Sequence, residues 1–156
     1  MGSMTPAFAG ALITDEAGRY LLQLRDERPG ILHPGAWGMF GSHIEPGEAP
    51  AAAIARELQE EIGLVPSAPV PFRRLRIPLR LGDGPVQVRG LAVFAFSIDA
   101  ARVATLHQTE GSARALWPPE MLLLEPRVAI SARLAVALHA QPRLGLCTAP
   151  REDYPA

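Results

Sequence analysis

Lysine is absent from the chain: all 15 basic side chains are arginine, set against 16 acidic ones, for a formal net charge of −1. So balanced a chain offers no broad attraction to nucleic acid or to an anionic membrane, so a phosphate-bearing partner must be gripped locally. Cysteine is nearly absent. Cys147 stands alone, which excludes an internal disulfide and the two-cysteine zinc patterns and makes a reducing cytoplasm the natural compartment. Long apolar runs are missing too. Ala7 to Ile13 is too short for a membrane span and has neither a basic flank nor a cleavage site, so it reads as a strand. Neither an internal repeat nor a shift of composition divides the 156 residues, which is the length of one domain with a sizeable core. Met1-Gly2-Ser3 ahead of Met4 reads as a remnant of expression, residues 4–140 as the domain, and 141–156, with three prolines, as an irregular extension.

What is present is organised by turn residues. Phe8 to Ile13 and Arg19 to Arg25 read as strands joined through Asp15-Glu16-Ala17-Gly18. A loop from Asp26 to Gly35 and a short strand Trp37 to Phe40 then lead into the Gly41 to Gly47 loop. A helix is expected from about Ala49, with Pro50 in its first turn, Gly63 as its stop, and Ile54, Leu58 and Ile62 as its buried stripe. Phe72 to Leu81, Val86 to Ile98 and Ala113 to Trp117 read as further strands, and Arg127 to Ala140 as a second amphipathic helix. This order does not alternate strand and helix, which disfavours a doubly wound parallel sheet. The class is α+β (α/β in looser usage), a mixed sheet flanked by a few helices.

The chemistry lies in the first helix. At about 100° per residue, Glu57, Glu60 and Glu61 fall in one sector beside the apolar stripe. Like charges at these spacings repel, so the cluster needs solvent or a compensating cation. A solvated acidic face is the bland reading. A divalent ion is the sharper one: carboxylates without nearby cysteine suit Mg²⁺ or Mn²⁺, which also take phosphate oxygens as ligands.

Glu48, Arg56-Glu57-Leu58, Glu60-Glu61 and Gly63-Leu64 stand at the spacing that resembles the signature box of the Nudix hydrolase superfamily, which includes the MutT-type nucleoside triphosphate pyrophosphohydrolases. Ser42 stands where the box has its first glycine, and Gly41 matches the glycine before it. The resemblance implies a mixed β-sheet sandwiched between helices. By similarity, Glu57, Glu60 and Glu61, with the Gly41 carbonyl, would hold Mg²⁺ (or Mn²⁺), and one box glutamate, Glu57 or Glu60, or a carboxylate on a distant loop would take the proton from the attacking water. Arg56 and Glu48 resemble the family's orienting ion pair. Glu110-Gly111 falls where MutT-type enzymes carry Glu-Gly-Gln, which implies a further metal ligand at Glu110, with an ordinary loop acid as the alternative.

The remaining residues of interest read blandly. Arg74, Arg76 and Arg80 share one strand face, expected to be solvated, with Leu75, Ile77, Leu79 and Leu81 opposite. His33 and His43 lack a pairing that would make them ligands or bases, and Trp37 and Trp117 read as core. The resemblance implies hydrolysis of a phosphoanhydride bond in a nucleoside diphosphate derivative such as a nucleoside triphosphate. Pro78, fourteen residues after Leu64, resembles the proline that ADP-ribose enzymes of the family carry about fifteen residues beyond the box, and an ADP-ribose or nucleotide-sugar pyrophosphatase is the alternative. Leu124 precedes Glu125-Pro126 where MutT has a base-reading asparagine, so a broad nucleotide substrate is expected rather than an oxidised guanine. A catalytically idle, nucleotide-sensing domain is the rival of another class, and a box missing a carboxylate would have favoured it. The expected partner is a small nucleotide, with no nucleic acid and no membrane, and a homodimer is left open.

Overall fold

The computed structural model describes residues 5–66 and 69–145. The chain runs β1 (Phe8–Thr14), β2 (Tyr20–Leu24), β3 (Trp37–Gly38), α1 (Pro50–Ile62), β4 (Val70–Leu79), β5 (Gln87–Ser97), α2 (Ala100–Thr105), β6 (Ala113–Trp117), α3 (Pro119–Leu124) and α4 (Ile130–Leu144). One mixed sheet in the order β3-β2-β1-β5-β4 carries β6 on β2, and β1 and β5 are its parallel pair. The α+β reading therefore holds, with helices on both faces.

The two faces follow from the two-residue period of the strands. Ala9, Ala11 and Ile13 of β1, with Leu21, Ala92 and Phe94, meet the Ile54-Leu58-Ile62 stripe of α1 and Val103 of α2. Leu12, Tyr20, Leu22, Ile77, Leu79, Leu91 and Val93 point the other way, toward Leu122 of α3 and Ala132, Ala135 and Val136 of α4. The expected helix ends hold at α1. Pro50 opens it, and Gly63 closes it in the left-handed conformation (φ 65°), its N–H bonded to the Gln59 carbonyl.

The segment that positions the site lies between two strands. β1 and β2 pair only at Ile13–Leu21 and Thr14–Tyr20, and then splay. The segment following β3 fills the gap: Ala11 N–H bonds the Phe40 carbonyl, Ala9 N–H bonds Ser42 and Ile44 N–H bonds Ala7. Gly41 passes over β1 so closely that a Cβ there would lie 2.2 Å from the Ala9 carbonyl oxygen, and its φ is +119°. Ser42, in contrast, does not have a positive φ, since among the described residues His33 is the single non-glycine that does. The box position where serine replaces glycine therefore asks nothing of the backbone that serine cannot supply.

Four expectations change. β3 ends at Gly38, because Met39 onward leaves β2 to lie along β1. α2 and α3, six residues each, were not anticipated, being too short to show a helical period. α4 starts later than Arg127 and runs to Leu144 with Pro142 inside it, so regular structure continues past residue 140. Leu81 is exposed although it follows the buried Ile77 and Leu79. Residues 1–3, Cys147 and most of the expected extension lie outside the described residues. Among those described, no helix is long and apolar enough to cross a membrane.

Gly41→Ala is expected to cost more than about 2 kcal/mol by urea unfolding, because both the backbone clash and the φ penalty apply. Ser42→Gly is expected to cost only about 0.5–1 kcal/mol, through the entropy of the unfolded chain. Equal effects at the two positions would remove this account of the loop.

Candidate functional site

Helix α1 turns its acidic sector partly inward. Glu57 and Glu61 are buried, 9% and 3% exposed, while the Glu60 side chain is largely in solvent. Glu61 accepts the Gly41 N–H at 2.9 Å, and the Gln23 amide lies 3.5 Å from its other oxygen. Glu57 accepts Arg56 Nη1 at 2.6 Å. The same guanidinium grips Glu48 with two bonds of 2.9 Å, from Nε and Nη2, and reaches the His43 carbonyl at 3.3 Å and Glu60 at 3.5 Å. Arg56 thus ties the glycine-rich loop to the helix in the bidentate geometry that arginine allows.

Proton affinities follow from these contacts. The hydrogen bonds from Arg56 hold the Glu48 carboxyl down to about 2, and its two carboxylate partners, Glu48 first, raise the Arg56 guanidinium. Burial raises Glu57 despite the opposing Arg56 contact, and the charges of Glu60 and Glu110 add to the rise. Burial pushes Glu61 up to about 7; the Gly41 N–H opposes this, and the charges of Glu57 and Glu110 add to it. Both buried carboxylates are thus shifted in the same direction, Glu57 in spite of its Arg56 contact.

Glu110 is exposed in the loop between α2 and β6, and its charge reaches both buried glutamates. It lines, with Gly41 and Ser42, a cavity of about 650 Å³. The wall there is apolar (Phe8, Met39, Ile77, Leu79, Leu91) and the basic groups are Arg25, Arg28, Arg89, His33 and His43. Glu110 is the one carboxylate among the cavity residues.

Glu57, Glu61, Glu110 and Gly41 are thus brought together, and Arg56 with Glu48 frames them. Glu60 is not turned in: it lies on the side of α1 away from the sheet, with Arg56 Nη1 3.5 Å from its carboxylate. Among the described residues, no three acidic or imidazole side chains converge as a finished ligand set. The Gly41 N–H is committed to Glu61.

Other expectations resolve plainly. Arg74, Arg76 and Arg80 are exposed. His43 packs on Phe8 with ring centroids 4.4 Å apart, and Trp37 and Trp117 meet edge to face at 5.2 Å. Leu124 is 79% exposed and Pro78 is exposed on β4; neither lines the cavity. Sequence reasoning missed Gln23. Its signal was available: a polar residue two after Leu21, on the strand face that packs against α1.

The NUDIX domain family matches residues 4–137. The chain belongs to the Nudix family. A curated relative, the isopentenyl-diphosphate Delta-isomerase of Streptomyces griseus, is 47% identical over 68 residues, covering 42% of this chain. The aligned part is 33% of that protein, so the chain spans about a third of the length of the curated relatives it matches. Among solved structures, a MutT protein from Methanosarcina mazei Go1 has a TM-score of 0.69 at 20% identity, over 92% of this chain and 98% of that one. The E. coli dihydroneopterin triphosphate pyrophosphohydrolase also has a TM-score of 0.69, at 16% identity over 88% and 97%. At such identities the likeness is one of fold.

The burial of Glu61 predicts a pH signature. Its folded-state proton affinity lies above the ordinary value of 4.5, so between about 4.5 and 7 the folded protein holds a proton that the unfolded chain has released. Stability falls as pH rises through that window, and levels off above it. Measured in chelator by urea unfolding, the stability of the parent relative to Glu61→Gln should decline from pH 4.5 to 7. A pH-independent difference would show that Glu61 titrates normally.

Proposed function

We propose that this Nudix chain hydrolyses a phosphoanhydride bond in a nucleoside diphosphate derivative, most simply a nucleoside triphosphate. The observation that carries the reading is the pair of buried glutamates, Glu57 and Glu61, beside a cavity with three arginines and one carboxylate. The donor set fits Mg²⁺ or Mn²⁺: it is all oxygen, and a cation would offset the buried charge of its carboxylates. Glu57, Glu61 and Glu110, with Glu60 from the rim and the Gly41 carbonyl, would hold it. When bound, the ion would polarise the diphosphate and acidify a bound water.

The protein groups have separable tasks. Arg56, anchored on Glu48, keeps the Glu57 carboxylate oriented toward the site, which makes Glu57 our first choice to accept the proton of the attacking water, with Glu60 next. Arg25, Arg28 and Arg89 suit a polyanionic substrate, and the apolar wall suits its uncharged part. An ADP-ribose or nucleotide-sugar substrate draws on the same cavity. All the box carboxylates are in place, which counts against an idle sensing domain.

A second reading, isomerisation of an isoprenyl diphosphate, has the apolar wall and the isomerase relative in its favour. Phosphorus NMR of reactions with a nucleoside triphosphate and ADP-ribose, and proton NMR of the reaction with isopentenyl diphosphate, whose isomerisation moves a double bond and leaves the diphosphate intact, separate the possibilities. Release of phosphate or nucleoside monophosphate from the nucleotides, abolished by excess chelator, is expected; turnover undiminished in chelator would overturn the metal-dependent reading. Glu57→Gln and Glu61→Gln should each lower turnover by about two or more orders of magnitude, corresponding to several kcal/mol of lost transition-state stabilisation, without loss of folding. Near-parental rates in both variants at saturating metal would remove these residues from the site.

A further inference from the structure

The last carbonyls of a helix have no partner within it. At the end of α1, Gly63 and Leu64 N–H groups cover the Gln59 and Leu58 carbonyls. The next two are covered from elsewhere in the chain, by one residue. Thr109 N–H bonds the Glu61 carbonyl at 2.9 Å, and the Thr109 hydroxyl lies 2.7 Å from the Glu60 carbonyl and 3.3 Å from that of Glu61. The backbone of two box glutamates is thereby joined to the residue preceding Glu110.

The other side of Glu110 is equally constrained. Gly111 has φ +77°, and a Cβ there would lie 2.7 Å from the Leu24 carbonyl oxygen and 2.9 Å from the Gln23 side-chain oxygen. Ser112 N–H bonds the Leu24 carbonyl at 2.9 Å. The Gln108 amide closes the loop on itself, donating to the Glu110 carbonyl at 2.6 Å and the Ala113 carbonyl at 3.1 Å. Glu110 is therefore slung between α1, which carries Glu57 and Glu61, and β2, which carries Gln23.

We propose that Thr109 is a positioning residue: its hydroxyl straps residues 108–112 to the end of α1 and so keeps Glu110 at the cation site before substrate arrives. The proposal rests on the reading that Glu110 joins a divalent ion with Glu57 and Glu61. It differs from a loop that delivers Glu110 only on substrate binding. Thr109 itself touches neither ion nor substrate; it acts through the placement of its neighbour. Its side chain is exposed, so the near-isosteric valine removes the hydroxyl without opening a void.

The test is Mn²⁺ binding by calorimetry without substrate, on the parent, Thr109→Val, Thr109→Ser, Glu110→Gln and the Thr109→Val/Glu110→Gln double variant. Glu110→Gln should weaken binding by about tenfold or more, and Thr109→Val should produce most of that loss. Thr109→Ser should restore parental affinity, and the double variant should bind no more weakly than Glu110→Gln alone, since both changes remove the same contribution. Parental affinity in Thr109→Val beside weakened binding in Glu110→Gln would overturn the proposal, even if the valine variant melts earlier. Parental affinity in Glu110→Gln would overturn the placement of Glu110 and this proposal with it, while leaving Glu57 and Glu61 untouched. A parent that binds no Mn²⁺ would overturn the reading of the whole site.

Discussion

The Glu61 carboxylate and the Gly41 N–H meet at 2.9 Å beneath helix α1, and much of the molecule is arranged to permit that contact. β1 and β2 separate after two residue pairs, and the glycine-rich segment enters the opening with a residue that has no Cβ to strike Ala9. The apolar stripe of α1 then sets the helix on the same sheet face, which carries Glu57 and Glu61 inward with it. A carboxylate so placed needs a donor, and the loop backbone supplies one.

That arrangement is costly in isolation. Burial disfavours the ionised form of Glu61, and Glu57 is relieved only in part by Arg56. An apolar side chain at either position would pack on the sheet at lower cost, so the fold alone does not call for two acids there. Stability given up at one place for buried acids is the pattern of a functional site rather than of a core. Arg56 limits the cost by serving three carboxylates, those of Glu48, Glu57 and Glu60, and a carbonyl at once, and Glu48, held ionised well below neutral pH, anchors it.

The cavity joins this acidic corner to the opposite end of the sheet. β4 and β5 present Ile77, Leu79 and Leu91 to it, and Arg89, paired with Ile77, emerges on the same face. Charge is therefore segregated: carboxylates gather where α1 meets the loop, and guanidinium groups gather around the apolar wall. The diphosphate substrate proposed above would draw on both parts.

The elements whose signals are local were legible from the sequence. The strand pattern, the helix bounded by Pro50 and Gly63, its Ile54-Leu58-Ile62 stripe and the spacing of Glu48, Arg56, Glu57, Glu60 and Glu61 all follow from periods of two and 3.6 residues and from backbone chemistry within one turn. Tertiary structure decided what depends on residues far apart in the chain. Which glutamates are buried was set by the sheet under α1: Glu60, one residue from Glu61, faces solvent because a helix rotates about 100° per residue and the sheet covers only one side. That Gln23 lies under Glu61, that Thr109 caps α1, and that Glu110 stands within electrostatic reach of both buried acids were set by where β2 and the β6 loop come to rest. No local period encodes those meetings, because burial and pairing are properties of the assembled sheet rather than of any one segment.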